Sequence, residues 1–228
     1  SLTYSESKNK KARKSFKQKI SHQWDFIRSH QEGTSGAINK IKVTCYGGAE
    51  EVTGSNFMLE YLGVKILIDC GLPQGVDSHH KEWVDFDYNP AEVDFLLVTH
   101  AHMDHIGRIP FLVNRGFRGK IFSTKPTREM SELALADALH ILTNDFKKGK
   151  LLEVPYNEHD IDIALSNWKT LNYRESVLLD EEISIKFFNS AHVLGSAFVQ
   201  INCLTPGPGK NSDKKSQKVL FTGDMGAN

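Results

Sequence analysis

This 228-residue sequence predicts a mixed α/β layered domain, and three observations carry the prediction. Short runs rich in β-branched and aromatic residues come first. Helical apolar periods are then interleaved with further strands, and no apolar run approaches the ~20 residues of a membrane-spanning helix. The composition agrees: 25% charged and 39% hydrophobic residues, with 28 Lys+Arg balanced by 28 Asp+Glu, describe an ordinary globular chain. They exclude collagen, coiled coil and wholesale disorder.

Taken in order, residues 1–38 stand apart. They carry eight Lys/Arg against three acidic residues, while Ala12, Phe16, Ile20, Trp24 and Ile27 recur at helical spacing, which predicts a basic amphipathic helix. Gly33-Thr34-Ser35-Gly36 reads as a linker, and no apolar signal-peptide core follows the basic residues. From residue 39 onward, strands are expected at 41–46, 55–61 and 64–69, the last two joined by the tight turn Leu62-Gly63. Residues 93–99 form a near-continuous apolar run suited to a strand buried on both faces. A helix at 106–115 and a strand at 120–123 follow. Pro126 then opens a long helix through Leu133, Leu135, Leu139 and Leu142, because proline is tolerated in a first turn. Asn157 with Asp160 makes a capping box ahead of a helix near 158–167. Strands return at 169–173, 183–189, 197–203 and 219–221, with a polar hairpin loop from Pro206 to Lys215.

Five of the ten histidines fall between His79 and His105, and the sharpest motif is His100-Ala101-His102-Met103-Asp104-His105, directly after the buried strand. A strand running into a loop aims alternate side chains the same way, so His100 and His102 converge on one point. Asp104 and His105, beyond the bend, face a second point nearby. Imidazole and carboxylate are ligands for Zn²⁺ and its borderline relatives. Ser190-Ala191-His192 and Thr222-Gly223-Asp224 each place a further donor after a strand. Cys45, Cys70 and Cys203 are odd in number and include no C-x-x-C. Neither a disulfide framework nor a cysteine zinc site is expected, which suits a reducing, cytoplasmic compartment. His79-His80 read as surface residues of a loop, and His140 and His159 as structural or exposed on helices. Gly47-Gly48 and Gly54 read as a tight turn rather than a phosphate cradle, since no G-x-x-x-x-G-K-[ST] occurs.

Asp69-Cys70-Gly71, the His100–His105 run, His192 and Asp224 together resemble the successive motifs of the metallo-β-lactamase superfamily. Gly47-Gly48-Ala49-Glu50-Glu51-Val52-Thr53-Gly54-Ser55, Pro126-Thr127 and Ser190-Ala191-His192-Val193-Leu194-Gly195-Ser196-Ala197 are similar to its β-CASP branch of nucleic-acid nucleases. The likeness covers about residues 40–228. It implies an α/β fold over 39–228, the N-terminal half of an αββα sandwich, with the second half and the branch's cap domain outside this chain. It also implies two zinc ions, with Mn²⁺ as a substitute: His100, His102 and His192 hold one, Asp104 and His105 the other, and Asp224 bridges both. Asp69, Asp104 and Asp224 are the implied acidic residues of the catalytic centre, Asp69 acting by hydrogen-bonding the metal-binding loop rather than as a ligand. The implied activity is metal-assisted hydrolysis of single-stranded RNA by an activated water. Thioester or lactone hydrolysis on the same scaffold is the alternative, and a non-enzymatic binding subunit the third reading. The family's last histidine for the second zinc has no counterpart here. The chain is therefore expected to bind metal but cleave poorly, and to associate with a further copy or a partner chain across the missing half-sandwich.

The basic arm either tracks RNA phosphates or docks its Phe16/Ile20/Trp24/Ile27 stripe on the domain. Deleting residues 1–36 separates these. An arm bound to phosphates predicts weaker RNA binding after the deletion, and a log–log salt slope flattened by about 0.7 for each phosphate no longer neutralised. A docked helix predicts an unchanged slope.

Overall fold

Alternation of side chains along β1 (Lys42–Gly47), β2 (Asn56–Tyr61) and β3 (Val64–Ile68) sets an antiparallel meander, with the β2–β3 turn at Leu62-Gly63. The computed structural model describes residues 40–49, 53–74, 83–205 and 215–226. The basic arm and linker, residues 50–52, His79-His80 and the loop at 206–214 lie outside the described residues. β3 pairs in parallel with β4 (Phe95–Leu97), β4 with β5 (Lys120–Thr124) and β5 with β6 (Trp168–Leu171), completing a six-stranded sheet in sequence order. Parallel neighbours need crossovers. α1 (Met103–Ile106) and α2 (Ile109–Asn114) lie between β4 and β5, and α3 (Lys125–Lys147) and α4 (Glu158–Asn167) between β5 and β6. A second, antiparallel sheet follows: β7 (Val177–Asp180), β8 (Ile183–Asn189), β9 (Ala197–Thr205) and β10 (Lys215–Phe221), in the order β10-β9-β8-β7.

The two-residue period divides the core. Met58, Leu67, Leu96 and Val98 pack with Phe111, Leu112, Leu135 and Ile161 of the helices. Leu59, Tyr61, Ile66 and Ile68 are equally buried but point the opposite way, as do Ile185, Phe187, Val199 and Ile201 on the facing side of the second sheet. The Tyr61 hydroxyl donates to the Leu204 carbonyl at 3.0 Å, and the Phe57 and Phe221 rings meet at 6.0 Å, so the two sheets close on each other. Helices, sheet and sheet form three layers of an αββα sandwich, and the chain supplies strands to both sheets. Among the described residues no helix covers the outer face of the second sheet, where Phe188 stacks on Phe198 at 5.0 Å and Leu178 and Leu220 are exposed.

Three expectations need correction. The helix at 106–115 is two helices, because the chain turns at Gly107-Arg108 and Pro110 in the first turn of α2 has no N–H to continue the ladder. The strand at 93–99 contracts to Phe95–Leu97. Val93 N–H donates to Pro90 O and Thr99 N–H to the Asp69 carboxylate, so both ends are engaged elsewhere. β10 starts at Lys215 rather than 219; its polar residues suit an edge strand, where lysines discourage further pairing. The Asn157/Asp160 capping box is present, each side chain accepting from the other's backbone N–H. No described helix is long and apolar enough to cross a membrane, and all three cysteines are free thiols.

The sandwich register can be tested on adjacent residues. Phe187, fully buried between the sheets, should cost about 3–5 kcal/mol on substitution by Ala. Phe188→Ala on the outer face should cost about 0.5–1.5 kcal/mol, the loss of its stacked pair. Urea denaturation of both variants is the check; equal losses would mean the register is wrong.

Candidate metal centre

Loops after β3, β4, β8 and β10 meet at one end of the sandwich. Asp69 follows β3, Thr99 and His100 follow β4, His102 caps α1, Asp104 and His105 lie within α1, His192 follows β8 and Asp224 follows β10. At Asp69 the backbone is left-handed, φ +57°, a conformation short polar side chains tolerate better than most. Its carboxylate accepts from Thr99 N–H at 2.8 Å, the Thr99 hydroxyl at 2.8 Å and His105 Nδ1–H at 2.7 Å. Backbone bonds then strap α1 to the neighbouring loops. Cys70 N–H donates to His105 O at 2.8 Å, Leu72 N–H to Met103 O at 2.9 Å and Ser55 N–H to Asp104 O at 2.8 Å. Only glycine fits at Gly71, where a Cβ would lie 1.6 Å from the Asp104 carbonyl oxygen. On the second sheet Ala191 is also left-handed, φ +57°, and Gly226 N–H donates to Ser190 O at 3.0 Å, drawing the Asp224 loop against the His192 loop.

His100 Nε2 lies 3.1 Å from His102 Nδ1, which lies 3.2 Å from His192 Nε2. Asp224 Oδ2 is 3.9 Å from His100 Nε2 and 3.5 Å from His192 Nε2. The ligand atoms of these four residues all lie within 4.8 Å of one another. A tetrahedral cation with bonds of about 2.0–2.1 Å needs donor–donor edges of about 3.3 Å, so the set fits one. The other oxygen of Asp224, Oδ1, is 3.4 Å from His105 Nε2, and Asp104 Oδ2 is 3.9 Å from that nitrogen. All six residues expected as ligands therefore come together, in two groups that meet at Asp224. Beside the second group a cavity of about 310 Å³ is lined by Gly48, Ser55, Phe57, Asp69, His105 and Asp224. His140 and His159 are exposed on α3 and α4.

Thr99 is the residue that sequence reasoning missed. Its hydroxyl is committed to Asp69, so its oxygen accepts from His100 Nδ1–H at 3.1 Å and leaves His100 Nε2 bare toward the cluster. A threonine closing a strand ordinarily reads as sheet filler, and only its place between Asp69 and His100 reveals this role.

Burial pushes His100 down to about 4, with the neighbouring His105 adding to the effect, so this imidazole is neutral at neutral pH. Burial also works to lower His105, but the adjoining Asp69 carboxylate outweighs it and holds the ring up at about 9. A folded value raised above the ordinary 6.5 gives stability that is fully present below about pH 6.5 and lost as pH rises through about 9. Thermal denaturation with a chelator present should therefore show stability falling across that window. Asp69→Asn should flatten the profile; a flat profile in the native chain would contradict the charged pair.

Residues 58–205 match a metallo-beta-lactamase superfamily domain. Ribonuclease TTHA0252 of Thermus thermophilus is 33% identical over 186 residues, covering 82% of this chain and 38% of that protein. Transcription termination factor FttA of Methanosarcina mazei is 32% identical over 200 residues, covering 86% of this chain and 29% of that protein. The RNase J-like protein of Methanocaldococcus jannaschii is 30% identical over 180 residues, covering 79% and 35%. The chain thus spans 29% to 38% of the length of these three relatives. Two of the three carry ribonuclease names. The domain match spans β2 to β9 and contains the His100–His105 motif, Asp69 and His192, and with it this chain belongs to the metallo-beta-lactamase superfamily.

Proposed function

We propose that this chain is the metal-holding part of a zinc-dependent, β-CASP-type nuclease that hydrolyses phosphodiester bonds of single-stranded RNA. The observation that carries the reading is the split position of Asp224, whose Oδ2 faces His100 and His192 while Oδ1 faces His105. A carboxylate shared between two donor groups suits a pair of cations. His100, His102, His192 and Asp224 offer three nitrogens and one oxygen, a borderline donor set that favours zinc, with Mn²⁺ as a substitute. Asp104, His105 and Asp224 would take the second ion. When bound, such a pair lowers the pKa of a water and stabilises charge on phosphate oxygens.

The chain's own residues prepare the site. Asp69 holds the Nδ1 proton of His105 and so aims its Nε2 at the cluster, and Thr99 does the same for His100. Asp104 and Asp224 add the negative charge that attracts cations to the cluster. The ribonuclease and RNase J-like names among the relatives support RNA over the thioester or lactone alternative. The reading puts the reaction in the cytoplasm, and a further copy or a partner chain over Phe188 and Phe198.

Plasma emission spectroscopy on extensively dialysed protein should find zinc; less than about 0.2 per folded chain would count against the proposal, because three- or four-ligand sites retain the ion. His102→Ala should lower the content and the exposed His140→Ala should not. Asp69→Asn should cost about 10–100-fold in metal affinity through the freed His105 ring. With Zn²⁺ or Mn²⁺ added, single-stranded RNA should be cleaved slowly, in a manner that Asp224→Asn abolishes. Cleavage indifferent to that substitution would overturn the assignment.

A further inference from the structure

A groove of about 420 Å³ is lined in part by His192 and by none of the other metal-donor residues. Its walls come from three elements: Pro126 at the start of α3, Tyr173 between β6 and β7, and Val193 and Leu194 beyond His192. Asn189 adds one amide, whose Oδ1 accepts from Ala191 N–H at 2.8 Å and whose Nδ2 hydrogens remain donors. Among the described residues, no lysine, arginine or carboxylate lines the groove. It is therefore no seat for a phosphate, which binds through cationic or N–H-rich surfaces. What it offers is a partly exposed aromatic ring, an apolar rim with Leu194 71% exposed, and a single amide.

The walls are fixed before any ligand arrives. The Gly195 carbonyl accepts from the Thr124 hydroxyl at 2.6 Å and the Thr127 hydroxyl at 2.9 Å, pinning the loop after His192 to the start of α3. The Tyr173 hydroxyl donates to the Ser196 carbonyl at 2.9 Å, which holds the ring in place. A ring already immobilised loses little freedom on binding a flat partner.

We infer that this groove is a nucleobase subsite, in which Tyr173 stacks against the base of a nucleotide next to the phosphodiester held at His192 and Asp224. The inference rests on the RNA reading above and adds a specificity element to it. Aromatic stacking accepts any base, because every base has a π-face, so the groove confers grip on a single strand rather than sequence selection.

The test is titration of a single-stranded RNA, carrying one fluorescent 2-aminopurine and made uncleavable by 2′-O-methyl groups, with the zinc-loaded chain. The native chain should quench the fluorophore. Tyr173→Ala should abolish the quench and weaken binding by about 5- to 150-fold, the loss of one base–aromatic stack. Tyr173→Phe, which keeps the ring and loses only the bond to Ser196, should retain both. Zinc content must stay equal in all three proteins. RNA binding and quenching left unchanged by Tyr173→Ala would overturn the subsite and leave the RNA reading standing. Loss of both in Tyr173→Phe would assign the effect to the hydroxyl tether and equally overturn it. No RNA binding by the native chain would defeat both proposals. Hydrolysis of a thioester that alone responds to Tyr173→Ala would make the groove an acyl pocket instead.

Discussion

One buried carboxylate governs the geometry of this site. Asp69 has a side chain 1% exposed, and an ionised carboxyl taken out of water without partners costs several kcal/mol. It is buried where Thr99 N–H, the Thr99 hydroxyl and His105 Nδ1–H arrive together, with the Ser55 hydroxyl donating at 3.4 Å. The first three donors belong to the end of β4 and to α1. Satisfying a single charge therefore fixes where β3 ends, where β4 ends and how α1 is turned. The left-handed backbone at Asp69 adds a cost on the order of 1 kcal/mol or more, which the three bonds offset.

The remaining donors follow from that constraint. α1 has only four residues, far below the length at which a helix is stable alone, so its position is imposed from outside. The bonds from Cys70, Leu72 and Ser55 to its carbonyls do this, and Gly71 lets the two backbones approach closely enough. His102, Asp104 and His105 are held by neighbouring loops, not by helix propensity. His192 and Asp224 come from the second sheet. Their distance from His100 is set by inter-sheet packing, through pairs such as Tyr61 with Leu204 and Phe57 with Phe221. A change that slid one sheet over the other would separate the two halves of the donor set without touching a donor.

What the sequence makes legible follows the same division. His100 to His105 can be read because the donors are close in sequence and follow an apolar run, and the α4 capping box because its partners are three residues apart. Strand existence is legible wherever the alternation is clean. The break between α1 and α2 is less so, since Gly107 and Pro110 are the only signs of it. β7 carries no expectation because Leu178 faces solvent and spoils the alternation. The role of Thr99 depends on Asp69, 30 residues away, and the groove at Tyr173 depends on residues from three separate elements. Long-range convergence of this kind leaves no local signature, whereas the charge and spacing of ligands do.

Buried and open side chains both contribute to the centre. His100, His105 and Asp69 have side chains 1%, 6% and 1% exposed; His192 and Asp224 stand at 26% and 45%, and His102 is exposed with them. The buried group sits where charge interactions are least screened and rings cannot turn. It acts as a template with fixed geometry. The open group can be reached by solvent. The apolar groove beside His192 lies there too, and the same loop that carries this donor also forms part of the groove wall. The position of the His192 ring and the shape of the groove are thereby coupled through a few residues of backbone, from Ser190 to Ser196, whose internal bonds fix both at once. Ser196 links the two: its hydroxyl oxygen accepts from His192 N–H at 3.0 Å and Val193 N–H at 3.1 Å, while its carbonyl accepts from the Tyr173 hydroxyl. A distortion there would move donor and groove together.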